Sequence, residues 1–342
     1  MKTSLAHQLT SPVNTPLVFA IRVVLLPFYL LYLFVVTARN ALYDAGLLQV
    51  RDVGVPVVSV GNLTVGGTGK TPLVIALAQK ALGQGRKVAI VARGYGAVAD
   101  ADGNTDEVAL MAARVPGAQV VMAPDKLLGA RRAAAGGADL ILVDDGFQHR
   151  RLHRDLDIAV VNARVPLSNG YVLPLGGLRE PPSGLGRADA VVLTHHEGMT
   201  KDELDTVRSH VMAFRREVPV VLGAHTPVGV RDVMGGELEP PESLAGQQLF
   251  LFCGIAEPDG FRRTVEALGA EVTGVLAFGD HHEFTAASLA EVRAEARTAQ
   301  LLCTEKDAAK VAAIPGSGDI RCLVIDMTLD GQLPELPRPA AD

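Results

Sequence analysis

The sequence is poor in the residues that mark secreted or nucleic-acid-binding proteins. It has 342 residues but three cysteines, Cys253, Cys303 and Cys322, and no CxxC pair. This pattern argues against a disulfide framework or a structural zinc site and favours buried, reduced thiols. The net charge of -6 lacks the basic excess of a general nucleic-acid binder, so we expect no nucleic-acid partner. A 48% hydrophobic content and a length sufficient for two domains predict a folded protein.

Charged residues are nearly absent from the segment Leu17 to Val36, where Arg22 is the exception. This run of about twenty residues is just long enough to span a hydrocarbon core, and no A-x-A-like signal-peptidase site follows it. Pro27 predicts a kink, and Arg22 prefers an interface where its head reaches water. We expect a helix in one leaflet, while a true span and a buried core helix stay open.

Short apolar runs rich in β-branched residues alternate with helical patterns along the rest of the chain. The runs in the first part are 55–60, 87–92, 119–122, 139–143, 157–161 and 189–193, and those in the second part are 248–254, 271–278, 300–305 and 320–326. Runs without polar alternation are typical of strands buried on both faces of a parallel sheet. The sequence therefore predicts an α/β fold: a doubly wound, mostly parallel sheet with a second, smaller α/β domain and an N-terminal apolar helix.

The pattern breaks up between about 218 and 247, where prolines and glycines accumulate. We interpret this stretch as a linker or hinge. The predicted organisation is an N-terminal membrane-associating segment over 1–45, a nucleotide-binding domain over 46–230 and a smaller α/β domain over 231–342. The last dozen residues are rich in proline and predict a loosely ordered tail.

The stretch GNLTVGGTGKTP, residues 61–72, follows a predicted strand and precedes a predicted helix. This context is that of a phosphate-binding loop, in which glycines let backbone amides point at phosphate oxygens. The lysine reaches the β- and γ-phosphates, and the hydroxyl after it ligates Mg²⁺. The general pattern has glycine where this chain has Thr64, and an ordinary glycine-rich turn is the alternative. The predicted ATP-binding residues are Thr64, Val65, Gly66, Gly67, Thr68, Gly69, Lys70 and Thr71.

An apolar run ends in Asp144 and Asp145 downstream of this loop. A carboxylate at the carboxyl end of a buried strand is the usual Mg²⁺ partner of such a loop. We therefore predict a magnesium site formed by Thr71, Asp144 and Asp145. A pair of solvated turn carboxylates is the alternative, and spacing does not tell which aspartate is nearer the metal.

The chain resembles the tetraacyldisaccharide 4'-kinase family, P-loop kinases of the lipid A pathway of Gram-negative bacteria. The resemblance covers nearly the whole chain and rests on these motifs, in order: VGNLTVGGTGKTP (60–72), ARGYG (92–96), TDEVALMA (105–112), DDGFQHRRLHRDLDI (144–158), LPLGGLREP (173–181), GIAEPDGF (254–261), FGDHHEF (278–284) and TEKDAAK (304–310). It implies transfer of the γ-phosphate of ATP to the 4'-hydroxyl of an acylated disaccharide 1-phosphate. It also implies a protein associated with the cytoplasmic face of the inner membrane, with no obligate protein partner evident.

The resemblance also assigns site residues that spacing alone does not assign. It implies that Asp106 is the base that takes the proton of the acceptor hydroxyl, and that His281 polarises or orients it as a dyad. Lys70, which the loop chemistry places at the β- and γ-phosphates, completes the predicted catalytic residues. Without the resemblance, Asp106 is better explained as a carboxylate at a helix N-terminus, and His281 as part of a polar turn or, less readily, of a metal site. The acceptor phosphate favours basic and polar residues near the site. The predicted substrate-binding residues are Arg93, Gln148, His149, Arg179 and Glu180.

Two other functions compete with a lipid kinase. A membrane-associated P-loop ATPase that switches by dimerising would carry a signature lysine where this chain has Val65, so its loop argues against that class. A soluble small-molecule kinase or ligase of the same fold would leave the apolar segment 17–36 unexplained.

Overall fold

The computed structural model describes residues 15–93, 106–280 and 282–338, and of Asp106 it describes the backbone alone. Its centre is one continuous sheet of eleven strands in the order β3-β2-β4-β1-β5-β6-β7-β11-β10-β8-β9. The strands are β1 Val57–Gly61, β2 Val88–Ala92, β3 Gln119–Met122, β4 Leu140–Asp144, β5 Leu156–Asn162, β6 Ala190–Thr194, β7 Val220–Asp232, β8 Gln248–Cys253, β9 Glu271–Ala277, β10 Gln300–Thr304 and β11 Ile320–Asp330. Neighbouring strands are parallel except β7 and β11, which are antiparallel. The predicted α/β class and mostly parallel sheet are confirmed.

Helices cover both faces of the sheet, and several of them begin at a side chain that caps their first turn. They are α1 Pro16–Asp44, α2 Lys70–Gly83, α3 Asp106–Arg114, α4 Lys126–Ala135, α5 Lys201–Met212, α6 Pro258–Ala267, α7 Ala286–Ala296 and α8 Glu305–Ala312. Thr200 and Thr285 close capping boxes at α5 and α7. Strands β1, β2, β4, β5 and β6 are buried along their whole length, which explains their runs of apolar residues without polar alternation.

The segment 218–247, predicted as a linker, instead contains the thirteen-residue strand β7. This strand pairs with β11 over ten registered positions and joins the two parts of the sheet. Two of its turn-forming residues serve the sheet. Pro227 lies at a register shift in the ladder, and a side chain at Gly223 would collide with Val192 and Met327. The linker prediction was therefore wrong for 220–232, and the domain boundary at 230 stays a prediction.

The tail to residue 338 is packed rather than loose. Leu333 and Leu336 contact the hydrophobic core beneath β1, β2 and β4, and Arg86 donates a hydrogen bond of 2.7 Å to the Pro337 carbonyl. The C-terminal segment therefore returns to the first half of the molecule.

Helix α1 runs through Pro27 without ending and is the helix, among the described residues, that is long and apolar enough to cross a membrane, with a mean hydropathy of 2.3. Only 6% of its apolar window is buried, so the alternative of a core helix was wrong. One stripe, with Tyr29, Tyr32 and Leu33, packs against the globular part. The opposite apolar side chains are 44–70% exposed: Leu17, Phe19, Val23, Val24, Leu26, Phe28, Leu30, Leu31, Phe34 and Val35.

Candidate active site

The glycine-rich loop lies between β1 and α2, as its sequence predicts. Gly66 and Gly69 have φ of 105° and 81°, a left-handed backbone that glycine adopts without steric cost. Gly69 is the residue before the first turn of α2, so the free amides of that turn face the loop. Thr194, at the end of β6, donates a 2.8 Å hydrogen bond to the carbonyl of buried Thr68 and fixes the loop from below.

A second segment holds the outer side of the loop. The amide of Val65 donates to the Gly177 carbonyl at 2.7 Å, and the amide of Arg179 donates to the Leu63 carbonyl at 2.7 Å. The side chain of Val65 is exposed. The GGLREP motif is thus positioned by backbone pairing with the phosphate loop, which the one-dimensional spacing of the two motifs does not reveal.

Lys70 projects into the site from the first turn of α2. Its Nζ lies 3.2 Å from Asn62 Oδ1 and 3.6 Å from Asp145 Oδ1. Asn62 is fully buried. The ammonium is therefore held beside the glycine loop, where a triphosphate would lie on the amides.

Asp145 is neutralised by cations. Nη1 of Arg179 lies 2.8 Å from Oδ1 and 2.7 Å from Oδ2 of this carboxylate. Burial raises the pKa of Asp145, but the charges of Lys70 and Arg179 outweigh it and hold that pKa below its ordinary value. Asp145 is thus a stable anion whose oxygens are already engaged by arginine and lysine.

Asp144 is the opposite case. It is 5% exposed, and its Oδ1 has no hydrogen-bond partner within the described part of the chain. Burial, with the neighbouring charge of Glu107, raises its pKa to about 7. A buried carboxylate oxygen without a partner beside a phosphate loop fits a magnesium ligand.

Protein groups alone do not enclose a metal here. Over the described ranges, no cluster of three or more His, Cys, Asp and Glu side chains could hold an ion. Mg²⁺ commonly takes one or two protein oxygens and completes its shell with substrate phosphates and water. Asp144 and the hydroxyl of Thr71, which both line the same cavity, fit that donor set.

The sequence reasoning missed Lys126. This residue opens α4, is 1% exposed, and donates a 3.2 Å hydrogen bond to the Val91 carbonyl at the end of β2. Burial lowers its pKa to about 8, while Asp144 and Asp145 oppose that shift. The sequence offered one indication of this position. Lys126 follows β3, and the carboxyl ends of parallel strands share one edge of a sheet, so it should lie near the aspartates.

Gln148 and Glu180 form a polar network that joins the phosphate loop to α1. The Gln148 amide donates to the Asn62 carbonyl and to Glu180 Oε1, each at 2.9 Å. Glu180, 1% exposed, also accepts two 2.9 Å hydrogen bonds from Arg187 and one from Asn40 of α1. Its oxygens are thus occupied within the protein, and substrate contact by Glu180 and Gln148 stays a prediction.

Arg93 and His149 also line the cavity beside the aspartates. Burial lowers the pKa of His149 to about 4, so its ring is neutral near pH 7. Of the other basic residues after Asp145, Arg150 pairs with Asp44 of α1 and Arg154 with Asp157. Arg150 and Arg154 are therefore engaged in structural ion pairs rather than directed at a substrate.

The predicted dyad lies outside the described residues. Asp106 opens α3 but its side chain is not described, and His281 is likewise outside the described ranges. Their neighbours Glu107 and Asp280 both line the cavity. The roles of Asp106 and His281 stay predictions.

The site residues open into one cavity of about 1270 Å³. One wall is the phosphate loop with Asp144 and Asp145, another is Tyr32, Val36 and Arg39 of α1, and a third comes from α6, α8 and β11. A Cβ at Gly67 would lie 3.2 Å from that of Ala256, so the second half of the molecule closes directly onto the loop. The cavity thus extends from the phosphate loop to side chains of the apolar helix α1.

Comparison with known proteins agrees with this geometry. The family model of tetraacyldisaccharide-1-P 4'-kinase, LpxK, matches residues 21–336. The chain is 44% identical to the tetraacyldisaccharide 4'-kinase of Anaeromyxobacter dehalogenans (strain 2CP-C) over 312 residues, 85% of this chain and 82% of that protein. It is 37% identical to that of Geobacter metallireducens over 321 residues, 87% and 91% of the two chains. The crystal structure of LpxK from Aquifex aeolicus in complex with ATP has a TM-score of 0.71 at 31% identity, over 91% of this chain and 95% of that one.

Proposed function

The chain belongs to the tetraacyldisaccharide-1-P 4'-kinase family, and we propose that it transfers the γ-phosphate of ATP to the 4'-hydroxyl of a tetraacylated disaccharide 1-phosphate. The observation that carries this proposal is the shared cavity, which joins a phosphate loop to side chains of an exposed apolar helix. A donor triphosphate and a lipid-linked acceptor therefore have access to the same space.

The donor end of the site binds and orients the triphosphate. The amides after Gly66 and Gly69 and the N-terminus of α2 face the phosphate oxygens, and Lys70 neutralises the charge that develops during transfer. Asp144 and Thr71 would hold Mg²⁺, whose charge polarises the transferred phosphoryl group. Arg179 keeps Asp145 ionised and in place, so that Lys70 lies near a fixed anion.

The acceptor end requires a base for the 4'-hydroxyl. We assign this role to Asp106, oriented by His281, on the strength of the family resemblance. Helix α3 starts at Asp106, and Glu107 beside it lines the cavity. Arg93 and the neutral ring of His149 line the same region and are candidates to contact the sugar or its 1-phosphate.

We further propose that α1 places the enzyme at the cytoplasmic face of the inner membrane. Its exposed apolar side chains fit the acyl region of one leaflet, while Tyr32 and Arg39 of its other face contact the Arg179 and Gln148 carbonyls at 2.8 and 2.7 Å. A division at 45 and 230 then separates an anchor, a nucleotide-binding domain and a smaller domain that completes the cavity.

The test is direct transfer. Full-length protein, Mg²⁺ and γ-labelled ATP are incubated with tetraacyldisaccharide 1-phosphate in detergent micelles, and labelled glycolipid is resolved by thin-layer chromatography. The expected result is labelled product that requires both Mg²⁺ and the 4'-hydroxyl. An acceptor blocked at that hydroxyl is the matched control. ATP hydrolysis without labelled lipid, stimulated by another protein, would instead support a P-loop switch.

A further inference from the structure

A short loop beside α1 presents apolar side chains that the proposed transfer does not use. It follows β5 and comprises residues 163–172, which we call the interface loop. Val165 and Tyr171, near its two ends, are 54% and 53% exposed. Leu167 between them packs against the same core cluster as Tyr29 of α1. The interface loop is therefore anchored from within and apolar on its outer side.

Backbone hydrogen bonds hold the interface loop in place. The amide of Ser168 donates to the Val165 carbonyl at 3.2 Å, and the amide of Leu178 donates to the Tyr171 carbonyl at 3.1 Å. Leu178 belongs to the GGLREP motif, which also pairs with the phosphate loop through the Val65 amide and the Gly177 carbonyl. The exposed side chains of the interface loop are thus fixed relative to the site.

Tyr171 lies against α1 at the level of Tyr29. The two ring centroids are 5.9 Å apart, with planes inclined at 71°, an edge-to-face contact. On the N-terminal side of Tyr29, the part of α1 from Pro16 to Phe28 is about 20 Å long at about 1.5 Å per residue. That length exceeds the roughly 15 Å of one hydrocarbon leaflet and falls short of the roughly 30 Å of the whole core. Immersion of this part therefore brings Tyr29 and Tyr171 to the level of the lipid headgroups.

The composition of the interface loop fits that level. Tyrosine is enriched at the boundary between headgroups and acyl chains, because its ring is apolar and its hydroxyl stays in water. The loop contains no Asp or Glu, and its one charged residue, Arg164, is a cation that suits an anionic lipid surface. Single exposed apolar side chains are ordinary on soluble proteins, but these two lie beside the exposed apolar part of α1.

We propose that the interface loop is a second membrane contact, with Val165 and Tyr171 inserted at the headgroup boundary of the bilayer that holds α1. This inference rests on the proposed association of α1 with the membrane and adds a contact made by the globular part. Two points of contact fix the rotation of the protein about α1. Leu173, directly after the loop, and Tyr32 of α1 both line the cavity, so an acceptor glycolipid reaches the cavity from the bilayer between them.

The absence of tryptophan from the chain makes the depth of each contact measurable. Tyr171→Trp, Phe19→Trp and Met234→Trp are each made in the full-length protein and bound to vesicles of phosphatidylethanolamine and phosphatidylglycerol. A fraction of the lipid carries bromine, which quenches tryptophan on contact, either near the headgroup or near the chain ends. The tryptophan of Tyr171→Trp should shift its emission to the blue and be quenched more strongly by the shallow bromines.

The other two variants are controls for that result. Phe19, 65% exposed on α1, should give a tryptophan that is quenched, because this part of the helix is immersed. Met234 is 63% exposed and follows the end of β7 that pairs with the second half of the sheet. Its tryptophan should be quenched by neither lipid.

Activity tests the consequence for the acceptor. The double variant Val165→Ser and Tyr171→Ser should lower kcat/KM about fivefold for acceptor embedded in vesicles and leave it within about twofold of wild type in detergent micelles, where no bilayer orients the protein. The matched control is Met234→Ser with Leu238→Ser, which removes two side chains that are 63% and 47% exposed. It should match wild type in both media.

Each contrary outcome is distinct. An unquenched Tyr171→Trp beside a quenched Phe19→Trp would show that the globular part stays off the bilayer, and would leave the association of α1 standing. If neither tryptophan is quenched, both ideas are wrong. Equal loss of activity in vesicles and micelles would make the interface loop a support of the site instead. A quenched Tyr171→Trp in a protein that transfers no phosphate would contradict the proposed kinase function and leave the membrane contact standing.

Discussion

Lys70 lies between Asn62 and Asp145 with its ammonium beside the glycine loop. Lys70→Ala should lower kcat at least about 100-fold, because it removes a fixed charge from the place where the transferred phosphoryl group develops its own. Arg179 still pairs with Asp145 in this variant, so the thermal midpoint should stay near wild type. Phosphotransfer and circular-dichroism melting measure the two effects.

Lys80→Ala, on an exposed turn of the same helix, is the control for that substitution. It should change neither kcat nor the midpoint. A Lys70→Ala enzyme with wild-type kcat would remove the lysine from the transfer step.

The buried carboxyl of Asp157, which lies away from the active site, should make the stability of the protein depend on pH. Burial raises its pKa to about 6, although Arg154 lies 3.1 Å away and opposes the shift. Between its ordinary pKa and about 6, the carboxyl is still protonated in the native state but already ionised in the unfolded state. The free energy of unfolding therefore falls as the pH rises through this range.

Asp157→Asn should accordingly flatten the profile. Between pH 4.5 and 7.5 the free energy of unfolding of the wild type should fall by roughly 1–2 kcal/mol more than that of the variant. Urea unfolding at fixed ionic strength measures both slopes. Parallel slopes would show that the carboxyl titrates alike in the folded and unfolded states.

Among single residues, the sequence predicted those with a recognisable local pattern. Lys70 and Thr71 open α2 after the glycine loop, Asp144 ends β4, and all three line the cavity. Lys126 was missed because its neighbours, Asp144 and Asp145, come from another strand that reaches the same edge of the sheet. No local spacing encodes that meeting.

At the level of elements, α1 has two different faces. Tyr29, Tyr32 and Leu33 pack on the protein, whereas Leu31 and Val35 are 62% and 53% exposed. The double variant Leu31→Glu and Val35→Glu should therefore abolish sedimentation with lipid vesicles, because two charges enter the acyl region. Vesicle flotation measures the bound fraction.

The control for α1 keeps the same helix and alters the protein-facing stripe. Tyr32→Phe removes only the 2.8 Å hydrogen bond to the Arg179 carbonyl and should bind vesicles like wild type. Undiminished vesicle binding by the double glutamate variant would place the lipid-binding surface elsewhere.

Strands were predicted correctly where their own residues form a continuous apolar run. The ten apolar runs correspond to ten of the eleven strands, since burial on both faces demands apolar residues throughout. Strand β7 was missed because Gly223 and Pro227 have the composition of a turn. Gly223 packs closely between Val192 of β6 and Met327 of β11, and Pro227 lies at a register shift, so both residues depend on neighbouring strands.

For the whole molecule, the sequence predicted two α/β units, and the structure joins them in one sheet. The antiparallel pair β7 and β11 is a seam, and the tail beyond β11 returns Leu333 and Leu336 to the first half. Because the cavity lies at this seam, any loosening of it changes the site where donor and acceptor meet.

A buried ion pair crosses the seam beside the cavity. Arg114, at the end of α3, lies 2.6 Å from Glu305, at the start of α8, and Arg231 of β7 lies 3.0 Å from the other oxygen of that carboxylate. Glu305 is 7% exposed. Glu305→Ala would remove the buried carboxylate that two arginines share and leave Arg114 with Asp326 alone, so it should lower the free energy of unfolding by about 3 kcal/mol.

Combining Glu305→Ala with Arg114→Leu should cost less than the sum of the two single changes, because each single change already breaks the same buried ion pair. Urea unfolding of the four proteins measures the coupling, and disruption of the exposed Arg262–Glu266 pair of α6 is the control that should leave the midpoint near wild type. Since α3 begins at Asp106, kcat should fall in the single variants. The Kd for Mg²⁺-tripolyphosphate, which contacts the phosphate loop, should stay unchanged. Additive costs with unchanged kcat would mean that the two halves are held by the β7–β11 ladder alone.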